Sequence, residues 1–232
     1  MATTSGHTIK AFDEDLDRLR ALISQMGGLA EHAIRESMRC LVQRDLEGAQ
    51  RIVQDDKKLD ALEMETERRA IQVLALRAPM AGDLRDVVAA IKISSVVERI
   101  GDYAKNIAKR VPLLENAGNI EPLSLMPEMA RIATEMVHDV LTAFVERDAE
   151  AAVRVCERDR AVDDFYNSIF RTLLTYMMEN PGNIGQSTHL LFIAKNVERV
   201  GDHATNIAEM VYYAATGQHM AERPRGGDPV VP

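Results

Sequence analysis

VERIGDYAKNIA (Val97–Ala108) and VERVGDHATNIA (Val197–Ala208) lie one hundred residues apart and are identical at nine of twelve positions. In each, apolar residues recur at alternating spacings of three and four: Val97, Ile100, Ala104 and Ile107, then Val197, Val200, Ala204 and Ile207. That is the seam of an amphipathic helix. A slide of 103 residues extends the duplication, matching Arg44-Asp45 to Arg147-Asp148, Asp56 to Asp159 and Asp60 to Asp163. The change of offset falls between the second and third helices of each half, where a loop absorbs insertions at little cost. The chain therefore reads as two copies of one three-helix unit.

Outward from these stretches the same period continues. Phe12, Leu16, Leu19, Ile23, Met26, Ala30 and Ala33 form a seam near the start, and Leu190 to Val211 form another near the end. No stretch alternates with period two in the way a half-buried strand requires. Pro79, Pro112, Pro122, Pro127 and Asn180-Pro181-Gly182 punctuate the pattern. Six helices of roughly 25 to 32 residues are expected between these breaks, about 40 to 50 Å each at 1.5 Å rise per residue. The expected fold is all-α: two pseudo-symmetric antiparallel three-helix bundles, 10–113 and 122–217, joined through PLLENAGNIEP. The segment 218–232 has no periodicity and is expected to be a disordered tail.

Composition agrees. Aromatics make up 4% of 232 residues, Trp is absent and Met reaches 12, so aliphatic residues and Met must build the core. A net charge of −8, with no block of five like charges, argues against a protein that binds nucleic acid by neutralising phosphates. No run approaches 18 apolar residues, so no membrane insertion is expected, and the polar stretch before Phe12 lacks a signal-peptide core. Cys40 and Cys156 fall at non-equivalent repeat positions and suit core residues in a reducing compartment, so the expectation is cytoplasmic.

Glu98, Asp102 and Asn106 stand at i, i+4 and i+8, as do Glu198, Asp202 and Asn206. Steps of four drift only about 40° around a helix, so each trio forms a ridge bordering the apolar seam and facing outward. Three oxygen donors on a ridge suit a hard cation such as Mg²⁺, Mn²⁺ or Fe, with the remaining positions supplied by other helices, water or a partner. Asp56, Asp60, Asp159 and Asp163 are the candidates on neighbouring helices. The alternative is a pair of solvated carboxylate faces engaged in ordinary surface ion pairs. Gly101 and Gly201, inside these helices, point to close helix–helix approach. Glu135-x-x-His138 is half of a di-iron signature without its mate. His203, whose counterpart is Tyr103, is not read as a ligand, and Met177-Met178 reads as core filling. No phosphate-binding loop, nucleophile elbow or C-x-x-C occurs.

The duplicated unit, the two ridges and ALRAPMAGDLR (Ala75–Arg85) together resemble the PhoU family of phosphate-transport accessory proteins. The resemblance spans about residues 10 to 215, and the family's R-x-P-x-A-x-D-L-R is carried by Arg77, Pro79, Ala81, Asp83, Leu84 and Arg85. The second half departs there, reading ENPGNIGQSTHL. The resemblance implies a cytoplasmic, homodimeric regulator of phosphate uptake. It would link the ATPase of the phosphate ABC transporter to the phosphate-sensing histidine kinase and hold that kinase repressing when phosphate is plentiful. Metal ligands carried over by position are Glu98, Asp102, Glu198 and Asp202, with Asn106 and Asn206 adjoining. Arg77, Asp83 and Arg85 are taken as a partner-docking loop.

The leading expectation is a non-enzymatic adaptor. A related accessory regulator of a low-affinity phosphate permease shares the helical plan. A carboxylate-bridged metal enzyme would need a dry pocket and an open coordination site, which outward ridges do not offer.

Overall fold

Every seam residue from Leu190 to Val211 is buried, as are Ile93, Val97, Ile100, Ala104 and Ile107. The chain, seen here in a computed structural model, is described over residues 4–114 and 121–220, with side chains for 12–114 and 123–220. Its helices are α1 (Thr4–Gln43), α2 (Leu46–Asp55), α3 (Lys57–Arg77), α4 (Gly82–Ala108), α5 (Met126–Glu146), α6 (Ala149–Glu179) and α7 (Ile184–Thr216). Short 3-10 turns occupy Pro112–Leu114, Glu121–Leu125 and Pro181–Asn183, and no strand occurs among the described residues. Helices α2 and α3 are one limb interrupted at Asp56, whose φ of −52° and ψ of −36° remain helical. The six expected limbs are thus present, arranged as α1, α2–α3, α4 and then α5, α6, α7.

The repeated Arg-Asp junctions now have a physical reason. Arg44 and Arg147 adopt left-handed backbone, with φ of 55° and 57°, ending one helix. The next residue caps the following helix: Asp45 Oδ1 accepts from the Gly48 N–H at 2.8 Å and Asp148 Oδ1 from the Ala151 N–H at 2.9 Å. A carboxylate there satisfies an amide that would otherwise lack a partner and complements the positive helix end.

The two units share one apolar core rather than standing apart. Helix α4 packs against α7, and α1 against α5. Helices α4 and α7 run antiparallel: Arg85 Nε donates to the Ala214 carbonyl at one end, Arg110 meets His189 at the other, and Tyr103 meets His203 between them. The internal two-fold axis therefore crosses the α4–α7 contact near residues 103 and 203. Three departures from expectation stand out. Helix α1 runs 40 residues, longer than the punctuation suggested, because no proline stands between Thr4 and Gln43 and the helix continues through Gly27-Gly28. The second limb of the first repeat is broken, whereas α6 runs 31 residues unbroken. Residues 218–220, placed in the tail, fold back on the protein: His219 stacks on Tyr213, and Met220 Sδ lies 3.8 Å from Cys156 Sγ. Residues 221–232 and 115–120 lie outside the described residues.

Candidate functional site: two carboxylate ridges

Helix α4 carries Glu98, Asp102 and Asn106, and α7 carries Glu198, Asp202 and Asn206, each trio at steps of four and accessible at its outer members. Glycine brings a second helix against each ridge. A Cβ on Gly101 would strike Leu59 Cδ1, while one on Gly201 would lie 3.2 Å from Asp159 Oδ1 and 3.4 Å from Val162 Cγ1. Leu59 and Val162 are equivalent residues, so both repeats use the same approach. It sets Asp56 and Asp60 of the first repeat, and Asp159 and Asp163 of the second, beside the ridges.

The electrostatics follow from that crowding. Partial burial pushes the Glu98 carboxyl up to about 7, helped by Asp102, Glu63, Asp60 and Asp56 around it. Burial likewise raises Glu198; Lys195 opposes this, and Asp202 and Asp163 add to it. Asp163 is raised by burial and by Asp202. Each cluster has one ammonium, placed differently. Lys105 Nζ donates to Asp56 Oδ2 and to Asp102 Oδ1, both at 2.5 Å, bridging two helices. Burial works against that ammonium, but the bonds to Asp102 and Asp56 outweigh it and hold its pKa above the usual lysine range. In the second repeat Thr205 replaces this lysine, and Lys195, one turn before the ridge, donates to Glu198 Oε1 at 2.6 Å. Glu198 Oε2 is left buried without a hydrogen-bond partner.

The oxygen donors suit a hard cation in kind, and the orphaned Glu198 Oε2 is a group that such an ion would satisfy. Their present arrangement is not a cage: among the described residues no three or more His, Cys, Asp or Glu side chains converge as metal ligands. Lys105 and Lys195 hold positions where a cation would neutralise the carboxylates, so a metal would have to displace them. Asn106 is exposed, and Asn206 Nδ2 lies 3.4 Å from His203 Nδ1.

Other residues singled out from the sequence take structural parts. Arg77 Nε donates to Asp15 of α1 at 3.1 Å, and Arg85 clamps the end of α7 at the Ala214 carbonyl, its guanidinium against Gly217. Asp83 is half-buried at the start of α4. Glu135 pairs with Arg131 and Arg158, and His138 faces Glu31, so the E-x-x-H stretch is a surface ion-pair cluster. The sequence reading missed two features. Tyr103 Oη lies 2.9 Å from His203 Nε2 with the rings stacked, a contact that antiparallel packing of equivalent helices would have foretold. Asp86, buried at the start of α4, is held by Arg147 at 2.8 Å and Arg20 at 3.3 Å, joining the two repeats.

The profile of the PhoU domain matches the chain twice, over residues 23–111 and 126–211, one match for each three-helix unit. The chain belongs to the PhoU family. Among relatives of this PhoU chain, the phosphate-specific transport system accessory protein PhoU homolog of Zymomonas mobilis is 57% identical over 227 residues, covering 98% of this chain and 96% of that one. The homolog of Rhizobium meliloti is 48% identical, with 94% and 93% covered. The crystal structure of PhoU from Pseudomonas aeruginosa superposes with a TM-score of 0.85 at 33% identity, covering 89% of this chain and 100% of that one. The phosphate transport system regulatory protein PhoU from Streptococcus pneumoniae gives 0.84 at 27% identity, with 90% and 99% covered. The PhoU fold, twice over, is what places the ridges on either side of the internal axis.

Proposed function

We propose that this chain regulates phosphate transport as a non-enzymatic adaptor, in keeping with the accessory role for which its relatives are named. In this reading it works in the cytoplasm as a homodimer. It contacts the ATPase of a phosphate ABC transporter and a phosphate-sensing histidine kinase, and keeps the kinase repressing when phosphate is plentiful. The observation that carries the reading is the pair of carboxylate ridges, at equivalent positions in the two repeats, half-buried at Glu98 and Glu198 and exposed at Asn106, Asp202 and Asn206. Catalysis by carboxylates or metal draws on a water-poor site with a tuned acid or base, which suits an enclosed cleft better than such a ridge. No described helix is long and apolar enough to cross a membrane, so contact with a transport system falls to surfaces of the bundle.

The proposal includes divalent or iron ions at Glu98 with Asp102 and at Glu198 with Asp202, adjoined by Asn106 and Asn206. Such an ion would supply a fixed positive charge between helices. Two measurements test the reading. Deleting the gene should derepress a phosphate-starvation reporter in phosphate-rich medium, and the wild-type chain should restore repression; an unchanged reporter would sink the regulatory role. Elemental analysis of protein purified without chelator should find metal that vanishes when all four acidic ligands are changed to Ala. A metal-free wild type after loading with Mg²⁺, Mn²⁺ or Fe²⁺ would remove the ions and leave the ridges as protein-contact surfaces.

A further inference from the structure

Fifteen large hydrophobic side chains are exposed among the described residues, and ten of them cluster at two places. At the turn between α3 and α4 these are Ile71, Leu76, Met80, Leu84 and Val88, with Met80 79% exposed. At the turn between α6 and α7 they are Phe170, Leu174, Met178, Ile184 and Phe192, with Met178 77% exposed rather than filling the core as its sequence suggested. The two tips are copies of one another: Ile71 corresponds to Leu174 at the 103-residue offset, and Leu84 to Ile184 at the 100-residue offset.

Both tips lie on the face that carries the carboxylates. Eighteen residues make five helical turns, so Leu84 shares its side of α4 with Asp102, and Ile184 shares its side of α7 with Asp202, each about 27 Å apart. Phe170 and Leu174 stand seven and eleven residues beyond Asp163, within about 20° of it around α6, and Met178 about 60° round. These side chains therefore border the second acidic cluster, where Lys195 Nζ lies 5.2 Å from the Tyr166 ring. Phe192 is covered on one side by the Arg110 guanidinium, 4.3 Å from its ring centre. Because α4 and α7 are antiparallel, the face reads apolar tip, carboxylates, internal axis, carboxylates, apolar tip, over roughly 55 Å at 1.5 Å per residue.

Charge decides what covers it. Between the tips stand Asp56, Asp60, Glu63, Glu98 and Asp102 of one repeat and Asp159, Asp163, Glu198 and Asp202 of the other. Lys105 and Lys195 lie among them, and Arg99 and Arg199 are exposed beside the axis. Nine carboxylates against two lysines and two arginines leave this face anionic, and a divalent ion at each ridge would weaken that charge without reversing it. A second copy would therefore set like charge against like, and an anionic membrane or nucleic acid would meet the same repulsion. Area decides how many tips must engage. With large apolar side chains exposing up to about 150–250 Å² each, five partly exposed ones offer roughly 400–500 Å². One tip falls short of the roughly 800 Å² per partner of a stable interface, and two together reach it.

We propose that this face docks a protein partner whose own surface is basic at its centre and apolar on both sides of that centre. The tips then anchor the complex, and the carboxylates steer and orient it. This deepens the adaptor reading and rests on it.

The test uses the full chain and two purified probes, the ATPase of the organism's phosphate transporter and its full-length phosphate-sensing kinase in lipid nanodiscs. Leu84→Glu at one tip and the pair Met178→Glu, Ile184→Glu at the other should each weaken binding to at least one probe by tenfold or more. Thermal melts should stay unchanged, Leu84→Met should bind like wild type, and wild-type affinity should fall as salt is raised. Wild-type binding that both tip variants retain within threefold would overturn the assignment of this face while leaving the adaptor reading intact. No binding of wild type to either probe would overturn both. Light scattering that finds a wild-type dimer made monomeric by the tip variants would give the tips to a second copy. Sedimentation with phosphatidylglycerol vesicles that the variants lose would give them to a membrane. Either result would overturn the proposal.

Discussion

The two repeats have the same plan and differ in how they hold their carboxylates. In the first, Lys105 ties Asp102 to Asp56 on the neighbouring limb, and that limb breaks at Asp56 beside a cavity of about 140 Å³ lined by His32, Glu36, Asp56 and Gly101 among others. In the second, α6 is unbroken, Lys195 donates to Glu198 and lies over the Tyr166 ring of α6, and Asp202 is exposed without an ion-pair partner among the described residues. The first repeat has closed its cluster across two helices, whereas the second keeps one more oxygen ready for an external cation. Duplication preserved the carboxylates and let their counter-ions drift.

Substitutions at matched positions probe this contrast, beginning with the greatest difference. Asp86 is buried between Arg20 and Arg147, while its counterpart Gln186 is half-buried on the surface of α7. Asp86→Ala should cost about 2–3 kcal/mol by removing the buried carboxylate that joins Arg147 to Arg20, which keeps only Asp17, against no more than about 0.5 kcal/mol for Gln186→Ala in urea unfolding. Equal losses would mean that the repeats are not joined through Asp86. Next come the lysines. Lys105→Met strands Asp56, whose side chain is only 8% exposed, and should cost about 1–2 kcal/mol. Lys195→Met should cost less, and a reversed order would break the comparison.

The glycines follow. Gly101→Ala makes the Leu59 Cδ1 methyl give way inside the core and should destabilise by about 1 kcal/mol after the gain in helix propensity. Gly201→Ala, with a 3.2 Å contact to a carboxylate oxygen, should stay within about 0.5 kcal/mol of wild type in thermal melts. The smallest effect is a pH slope. Glu98 has its folded pKa raised from 4.5 to about 7. It therefore binds its proton more tightly in the folded state, and its stabilising share is full at low pH and lost as pH rises through about 7. Melting temperatures of chelator-treated protein should fall across that range, and Glu98→Gln should flatten the fall. A slope unchanged in the variant would place its origin elsewhere.

Much of this was legible in the sequence. Period, offset and punctuation yield the six limbs, because an apolar seam must be buried and a capping Asp must follow a helix end. The outward ridges follow from a helical wheel for the same reason. What escaped depended on contacts between distant segments. The Asp86 clamp needs Arg147, sixty-one residues away, and nothing local marks it. Arg77 and Arg85, expected to await a partner, are spent on Asp15 and on the end of α7. Two family-matching arginines can serve folding or docking, and only their neighbours tell which. The break at Asp56 was equally hidden, since the sequence around it has no Pro or Gly to announce it.

The Tyr103–His203 contact bears on how such a chain can change. Two identical units arranged about this axis would confront the position with its own duplicate, so any substitution would be made on both sides at once. Covalent fusion ends that constraint. Tyr103 can keep a hydroxyl while His203 offers a ring nitrogen to it, a complementary match available only where the two faces of the seam are encoded separately. The same freedom extends to Ser95 and Lys195 and to Lys105 and Thr205, so a single gene can make one flank of the molecule tighter and the other more open.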